Sequence, residues 1–519
     1  MDNLISFYHF NTKDAMDTTS LKDTDIAFCK ETRSIRTHGM DYLSFEWDEI
    51  PDRKIGDWIK EHMVFYYDMS KPMDYYEQNF TQWTKYSVDA DVDIQVSTIN
   101  ITRFTTANDV VGCYIPSSTM FYGLNVEVKG LTDGQWRYWG YSADNILVKI
   151  DSDGSYYLPW IEETAGNLSF RNGNITGACN VTITQTSYDS QIPSNGMLGE
   201  ALYLQDFSGN NRRLKLKNFL FKGMSGVGGN DIDRMNIIDY ERGEVQITSG
   251  SNSSTTITIY SKVTTSTNNL VNIVPTNSTP TYKFKVSGLE GDRMVSLVNR
   301  NGGYYTFGNG VHEVTLSYPE GTEYLYNAIG VTGDPDDNMK VEIEFIPRYP
   351  NALVTDGVDD YGEVENAPSL SDYMLFVNLR VLNHTQVNGI FSTSSVDGEN
   401  INGWALMQAN AVDGQIRIGN SSYGNFDTGL DLSKRLTWCL TNKSNKMTCS
   451  IGTYTTYEIA SYPTTGNQMG LFTSYIHGLQ RYGKLAFYGA ILLDTSNLED
   501  EGITQAEISE YVNKYILNS

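Results

Sequence analysis

Charge, cysteine, histidine and long apolar runs are all scarce in this chain. Charged residues make up only 19% of its 519 residues, alongside five cysteines, six histidines and 13 prolines. No run of about 18 apolar residues occurs, so no helical membrane span is expected. The opening stretch, MDNLISFYHFNTKDAMD, has neither a basic start nor a long apolar core, so no secretory leader is expected there. Cys29, Cys113, Cys179, Cys439 and Cys449 are odd in number, scattered, and never spaced C-x-x-C. That pattern argues against zinc and against a disulfide framework, and points to synthesis in a reducing cytoplasm. Cys439 and Cys449 flank LTNKSNKMT and are candidates to face each other across a hairpin.

The chemistry-bearing motifs are missing too. His9, His38, His62, His312, His384 and His477 fall into no H-E-x-x-H or other metal spacing, and no G-x-S-x-G elbow occurs. GVGG is followed by Asn230 and Asp231 rather than Lys-Ser, so it is not a phosphate loop. No catalytic residue, metal ligand set or cofactor is expected. Acidic residues exceed basic ones by 25, which repels phosphate backbones and excludes nucleic acid as an expected partner.

What the chain does contain is Tyr, Asn, Thr, Ser and Gly in short alternating runs, the composition of folded β structure. The expected fold class is mostly β: a multidomain chain of antiparallel β-sandwiches, closed by a jelly roll with one terminal helix. Five segments follow. Residues 1–87 are aromatic-rich, and IAFCKETRSIRTHGMDYLSF reads as a hairpin around Lys30–Glu31–Thr32. A lone hairpin is not stable in water, so this segment is expected to dock or oligomerise. Residues 88–188 read as a β-sandwich, 189–280 as an intermediate β domain, and 281–349 as a second copy of the first sandwich. The repeat rests on VEVKGLTDGQW (126–136) and FKVSGLEGDRM (284–294), each followed by a glycine-led strand and a last alternating strand. Residues 350–519 form the final domain, ending in an amphipathic helix. Thr504 and Glu507 make its capping box, and Ile508, Tyr511, Val512, Tyr515 and Ile516 its apolar face.

LVTDGVDDYGEV (353–364) opens that last domain. Asp356, Asp359 and Asp360 are candidates for one calcium ion, but successive strand residues point to opposite faces, and a turn with Tyr361 packing inward is the favoured reading. The run Asp356–Gly357–Val358–Asp359–Asp360–Tyr361 and the closing LAFYGAILLD resemble the concanavalin A-like, laminin-G-like jelly roll. That resemblance covers about a third of the chain and implies carbohydrate or protein binding more often than catalysis. Catalytic relatives carry E-x-D-x-E or E-x-D-x-x-E on one strand, and neither spacing occurs here. Glu342 and Glu344 share a face but lack a third acid.

IAFCKETRSIRTHG, the GMSGVGG segment and NALVTDGVDDYGEV together resemble fibre-like virion proteins of tailed phages infecting Bacteroides, the crAss-like group. Cys29 and Arg36 stand where that group's stretch has Ile and Tyr. The resemblance implies a fibre or spike subunit on head or tail at the virion surface, anchored by its N-terminus to other virion proteins. It also implies a homo-oligomer, most simply a trimer, presenting a lectin-like domain to host surface glycan. Trp404, Tyr423 and Tyr475 are the candidate carbohydrate-binding aromatics. The alternatives are a capsid decoration without ligand and a virion-borne polysaccharide depolymerase.

Overall fold

Inward and outward side chains alternate throughout, and the chain is mostly β, as expected. In Thr281–Ser287, for example, Tyr282, Phe284 and Val286 are buried while Lys283 and Lys285 are exposed. The computed structural model describes residues 7–10, 26–29, 34–37, 43–44, 51–71, 83–85, 91–95, 98–104, 109–113, 121–135, 137–142, 145–159, 169–175 and 177–190. It further describes 202–221, 223–237, 244–249, 254–260, 270–299, 303–318, 327–332, 339–383, 387–393, 405–408, 414–419, 423–444, 446–451, 454–455, 469–476, 479–498 and 501–517.

Two ten-strand sandwiches share one topology. In the first, one sheet runs Gly154–Pro159, Phe121–Lys129, Gly177–Ser190, Thr98–Phe104, Asp91–Ile94. The other runs Asn145–Ile150, Arg137–Ser142, Ser169–Asn172, Asp109–Cys113, Trp83–Lys85. In the second, the sheets run Gly310–Thr315, Thr281–Ser287, Lys340–Phe345, Thr255–Tyr260, Glu244–Ser249 and Tyr304–Phe307, Met294–Asn299, Asn327–Thr332, Val271–Pro275, Ile232–Ile237. Counted along the chain, the strands pair in the same order in both. The second core draws Ile257, Phe284 and Ile343 from one sheet and Ile273, Leu297 and Ile329 from the other.

The third unit is larger and discontinuous. Its first sheet runs Leu202–Leu204, Leu214–Lys217, Tyr361–Val364, Gly470–Leu471, Asn388–Ser392, Ala405–Gln408, Gln415–Gly419, Tyr423–Asp427. Its second runs Gly226–Val227, Leu353–Val354, Leu485–Asp494, Tyr373–Val381, Leu436–Lys443, Lys446–Ile451, Tyr454–Thr455. Met63–Asp68 adds to the second sheet beside Leu485–Asp494, with Asp68 opposite Gly489 and Phe65 opposite Leu492. Phe65 and Tyr67 are fully buried in the core between the sheets, with Leu214, Leu375, Trp438 and Leu492. Fully burying each such side chain is worth about 1.5–3 kcal/mol, so this strand is part of the domain's stability. The carboxylate of Asp206 holds it in place by accepting from the amides of Tyr66 and Arg212, each at 2.9 Å.

Two helices cover the outer face of the second sheet. Pro51–His62 buries Ile55, Trp58 and Ile59, an i, i+3, i+4 stripe. Gln505–Tyr511 carries the expected capping box, with the Thr504 hydroxyl accepting from the Glu507 amide and the Glu507 carboxylate accepting from the Thr504 amide. Beyond it the coil widens into a π-turn over Val512–Ile516. That extra residue per turn rotates the expected face: Val512 and Leu517 are buried, but Tyr515 is 46% exposed.

The sheets therefore divide the chain differently from the five expected segments. The second sandwich begins at Ile232, not near residue 281. Among the described residues no separate unit occupies 189–280, because 202–227 pairs into the large sandwich while 232–275 starts the second small one. Residues 51–71 belong to the large sandwich rather than to a docking segment. Ahead of them the expected hairpin is present as Ile26–Cys29 against Ser34–Thr37, flanked by Phe7–Phe10 and Leu43–Ser44 in a four-stranded sheet. Cys439 and Cys449 do not bridge. Cys439 pairs across with Ser450 and faces the helices, whereas Cys449 pairs with Leu440 and faces the core. Burial pushes the Cys439 thiol up to about 11 and the Cys449 thiol higher still.

Candidate functional site

The acid-rich run 356–360 folds as a turn. Gly357 sits at φ +78, the left-handed region, and the Asp356 carboxylate accepts from the Val358 amide at 2.7 Å. Asp360 is fully buried; its carboxylate accepts from the Asp356 amide at 2.9 Å and the Ser225 hydroxyl at 3.0 Å. Burial, reinforced by the neighbouring Asp356 and Asp359, pushes the Asp360 carboxyl up to about 8. Carboxylate oxygens of Asp356, Asp359 and Asp360 lie within 4.8 Å of one another. That spacing approaches the roughly 5–5.5 Å of a retaining glycosidase pair, yet Asp360, at 0% exposure, offers no face to a sugar. Their hydrogen bonds go to their own turn and to Ser225, which is what a structural turn requires. Tyr361 is half-buried against Tyr482, their ring centroids 6.0 Å apart, rather than fully inward.

Of the three candidate aromatics, the described backbone places two. Trp404 lies outside the described residues. Tyr423 opens the outermost strand of the first sheet, opposite Gly419, and Tyr475 lies in the separate hairpin Thr473–Ile476 with Leu479–Tyr482.

A site that the sequence did not suggest lies where the second small sandwich joins the large one. Two connections run side by side there: the Arg348 and Tyr349 amides donate to the carbonyls of Gly229 and Gly228 at 2.9 and 2.8 Å. Beside them opens a cavity of about 510 Å³, within the range of small-molecule sites. Ile232, Tyr282 and Phe345 are its buried apolar lining, while Lys283, Glu313 and Arg348 are exposed around it. Arg348 forms an ion pair with the buried Asp231, which also accepts from the Thr281 amide at 2.9 Å. Arg380 enters from the large sandwich, its guanidinium 5.4 Å from the centroid of the Tyr349 ring. These groups come from widely separated segments. The local trace was IPRYP (346–350), an Arg-Tyr pair between prolines at a domain junction.

Neither a family model nor a curated protein matches this sequence. Among solved structures, the chain is similar to a Bacillus licheniformis β-glucanase at 10% identity and a TM-score of 0.20, over 26% of this chain and 71% of that one. It is similar to a lichenase derived from a mouse hindgut metagenome at 6% identity and a TM-score of 0.21, over 41% and 93%. It is similar to Trypanosoma rangeli sialidase at 9% identity and a TM-score of 0.23, over 83% and 84%. Likeness this slight carries no functional weight.

Proposed function

We propose that this chain is a non-catalytic, surface-displayed subunit of a tailed-phage virion, a fibre or spike component on head or tail that attaches to host surface glycan. The observation that carries this reading is architectural. One large sandwich bears two copies of a second sandwich as insertions between its own strands. Such insertions add reach and contact surface without adding reactive groups, which suits display better than turnover. The sequence resemblance to fibre-like virion proteins points the same way, and Asp360 of the acid cluster is buried out of reach of a sugar.

Anchoring falls to the four-stranded sheet before Pro51, because 51–71 is committed to the large sandwich. That sheet is also where a trimer would form, and a monodisperse monomer at micromolar concentration would exclude the trimer. The test of the whole reading is immunogold labelling of purified virions with antibody raised against the intact folded chain. Label on tail or capsid supports a virion role, and tail label favours receptor recognition over decoration. Absence of label from every particle overturns it. Release of new reducing ends from host capsule by the purified protein would overturn the non-catalytic part and favour a depolymerase.

A further inference from the structure

We infer that the cavity at the junction between the second small sandwich and the large one is a binding site for a carboxylated saccharide, a uronic acid or similar monoanionic sugar, with Arg380 as its carboxylate anchor. The inference rests on the glycan-binding role proposed above and assigns that role a place and a ligand class.

Charge accounting around the cavity selects the ligand. Arg348 is neutralised by Asp231. Lys283 and Glu313 lie directly opposite each other on neighbouring strands and offset one another. Arg380 is left over: it lines the cavity and meets no carboxylate among the described residues. A guanidinium without a carboxylate partner in a cavity wall is an anchor for an anion, since a guanidinium–carboxylate contact is charge-assisted. One leftover positive charge in the lining suits a monoanion and disfavours a dianion such as a phosphate ester. Tyr349, with the Arg380 guanidinium over its ring, adds to the lining an aromatic side chain of the kind that packs against the C–H face of a pyranose. Thr281, Asn230 and Glu313 supply groups for sugar hydroxyls. The site is also unusual for its chain: a net acid excess of 25 makes a cationic recess a built feature rather than background.

The test is a solution titration of the full chain with sodium glucuronate, glucose and glucose 6-phosphate, read by calorimetry or ligand-observed NMR. Glucuronate is expected to bind roughly ten- to a hundredfold more tightly than glucose, the range for one charge-assisted contact, and at least as tightly as glucose 6-phosphate. Arg380→Gln should abolish the preference for glucuronate over glucose with an unchanged melting temperature. Arg380→Lys should retain part of it, and Tyr349→Leu should weaken both sugars alike. Equal binding of glucuronate and glucose, tighter binding of glucose 6-phosphate, or an unchanged preference in Arg380→Gln each overturns the site. Adsorption of the labelled chain to host cells separates the two claims. Equal adsorption of wild type and Arg380→Gln overturns the site while the glycan role stands. A wild type that prefers glucuronate but binds no host surface supports the site and overturns the attachment role.

Discussion

The two small sandwiches are copies whose inward-facing parts agree and whose outward-facing parts have diverged. Both turn at a glycine after the strand Phe121–Lys129 or Thr281–Ser287, Gly130 at φ +93 and Gly288 at φ +85. Both glycines lie against a backbone carbonyl, where an added Cβ would meet the oxygen of Asn180 at 1.9 Å or of Lys340 at 2.1 Å. In both, an acid or amide one residue before the glycine-led strand caps the same turn, Asp153 accepting from the Leu131 amide at 2.8 Å and Asn309 from the Leu289 amide at 3.0 Å. The outward cross-strand pairs differ, one of them in what it touches. In the first copy it is Asn125 opposite Tyr157, and in the second Lys283 opposite Glu313. The Tyr157 hydroxyl donates to the Ile247 carbonyl at 3.3 Å, on the edge strand Glu244–Ser249 of the other copy. Lys283 and Glu313 instead border the cavity. Burial and turn geometry hold the fold constant; the solvent face is free to become a docking contact in one copy and part of a binding site in the other.

The sharpest way to break this comparison is at the shared glycines. Gly130→Ala and Gly288→Ala each combine a left-handed φ with a backbone clash, so each should cost about 3 kcal/mol or more. The measurement is the urea midpoint of each variant against wild type. Similar losses confirm equivalent construction, whereas tolerance at either position means that copy closes its turn differently.

The repeat was legible because this glycine and its alternating strand are local features, quoted in VEVKGLTDGQW and FKVSGLEGDRM. The extent of the second copy was not. Its first strands, Ile232–Ile237 and Glu244–Ser249, share pattern rather than identity with Trp83–Lys85 and Asp91–Ile94. The large sandwich was legible from residue 350 on, where its strands follow one another. Its early pieces were hidden because Met63–Asp68 and Leu214–Lys217 pair with strands far along the chain, and pairing partners leave no mark in a single sequence. The acid turn was readable since Asx chemistry is short-range. The cavity was not, since Lys283, Arg348 and Arg380 meet only in three dimensions.

An acid turn outside the two copies sharpens the role of burial. Asp360 keeps its proton in the fold up to about pH 8, whereas the unfolded chain releases it near pH 3.9. The folded state therefore holds the extra proton between those values, and stability falls as pH rises through that window. The slope from this group is up to about 1.4 kcal/mol per pH unit. Asp360→Asn should flatten the decline of the urea midpoint between pH 5 and pH 8. An unchanged slope would show that the carboxyl ionises freely in the fold.

The divergent outward pair gives a smaller effect. Tyr157→Phe leaves the Ile247 carbonyl on an open strand edge, at a cost of about 1 kcal/mol. The equivalent change in the second copy, Glu313→Gln, touches no strand of the other copy among the described residues, loses only its cross-strand pairing with Lys283, and should lower the melting temperature less. If both variants melt alike, Tyr157 is not a docking contact.

The smallest effect tests the caps themselves, and its sign is opposite to that of Asp360. The Asp153 carboxylate is held below its usual range because it accepts from the backbone amides of Gly130 at 3.0 Å and Leu131 at 2.8 Å. A depressed carboxylate stabilises the fold above its unfolded pKa and loses that contribution as pH falls through the folded value. Asn309 fills the same place with an amide, accepting from the Leu289 amide and donating to the Leu289 carbonyl at 2.9 Å, and has nothing to protonate. Since the second copy already uses the amide, Asp153→Asn should fold normally at neutral pH. Its one expected consequence is a shallower loss of stability in acid, read from the urea midpoint between pH 2 and pH 5. The shift is small because Asp153 is exposed and water competes for the same amides. A variant that loses stability at neutral pH instead would mean that the charge, and not the hydrogen-bond geometry, holds the first turn, and the two caps would then be different devices on one topology.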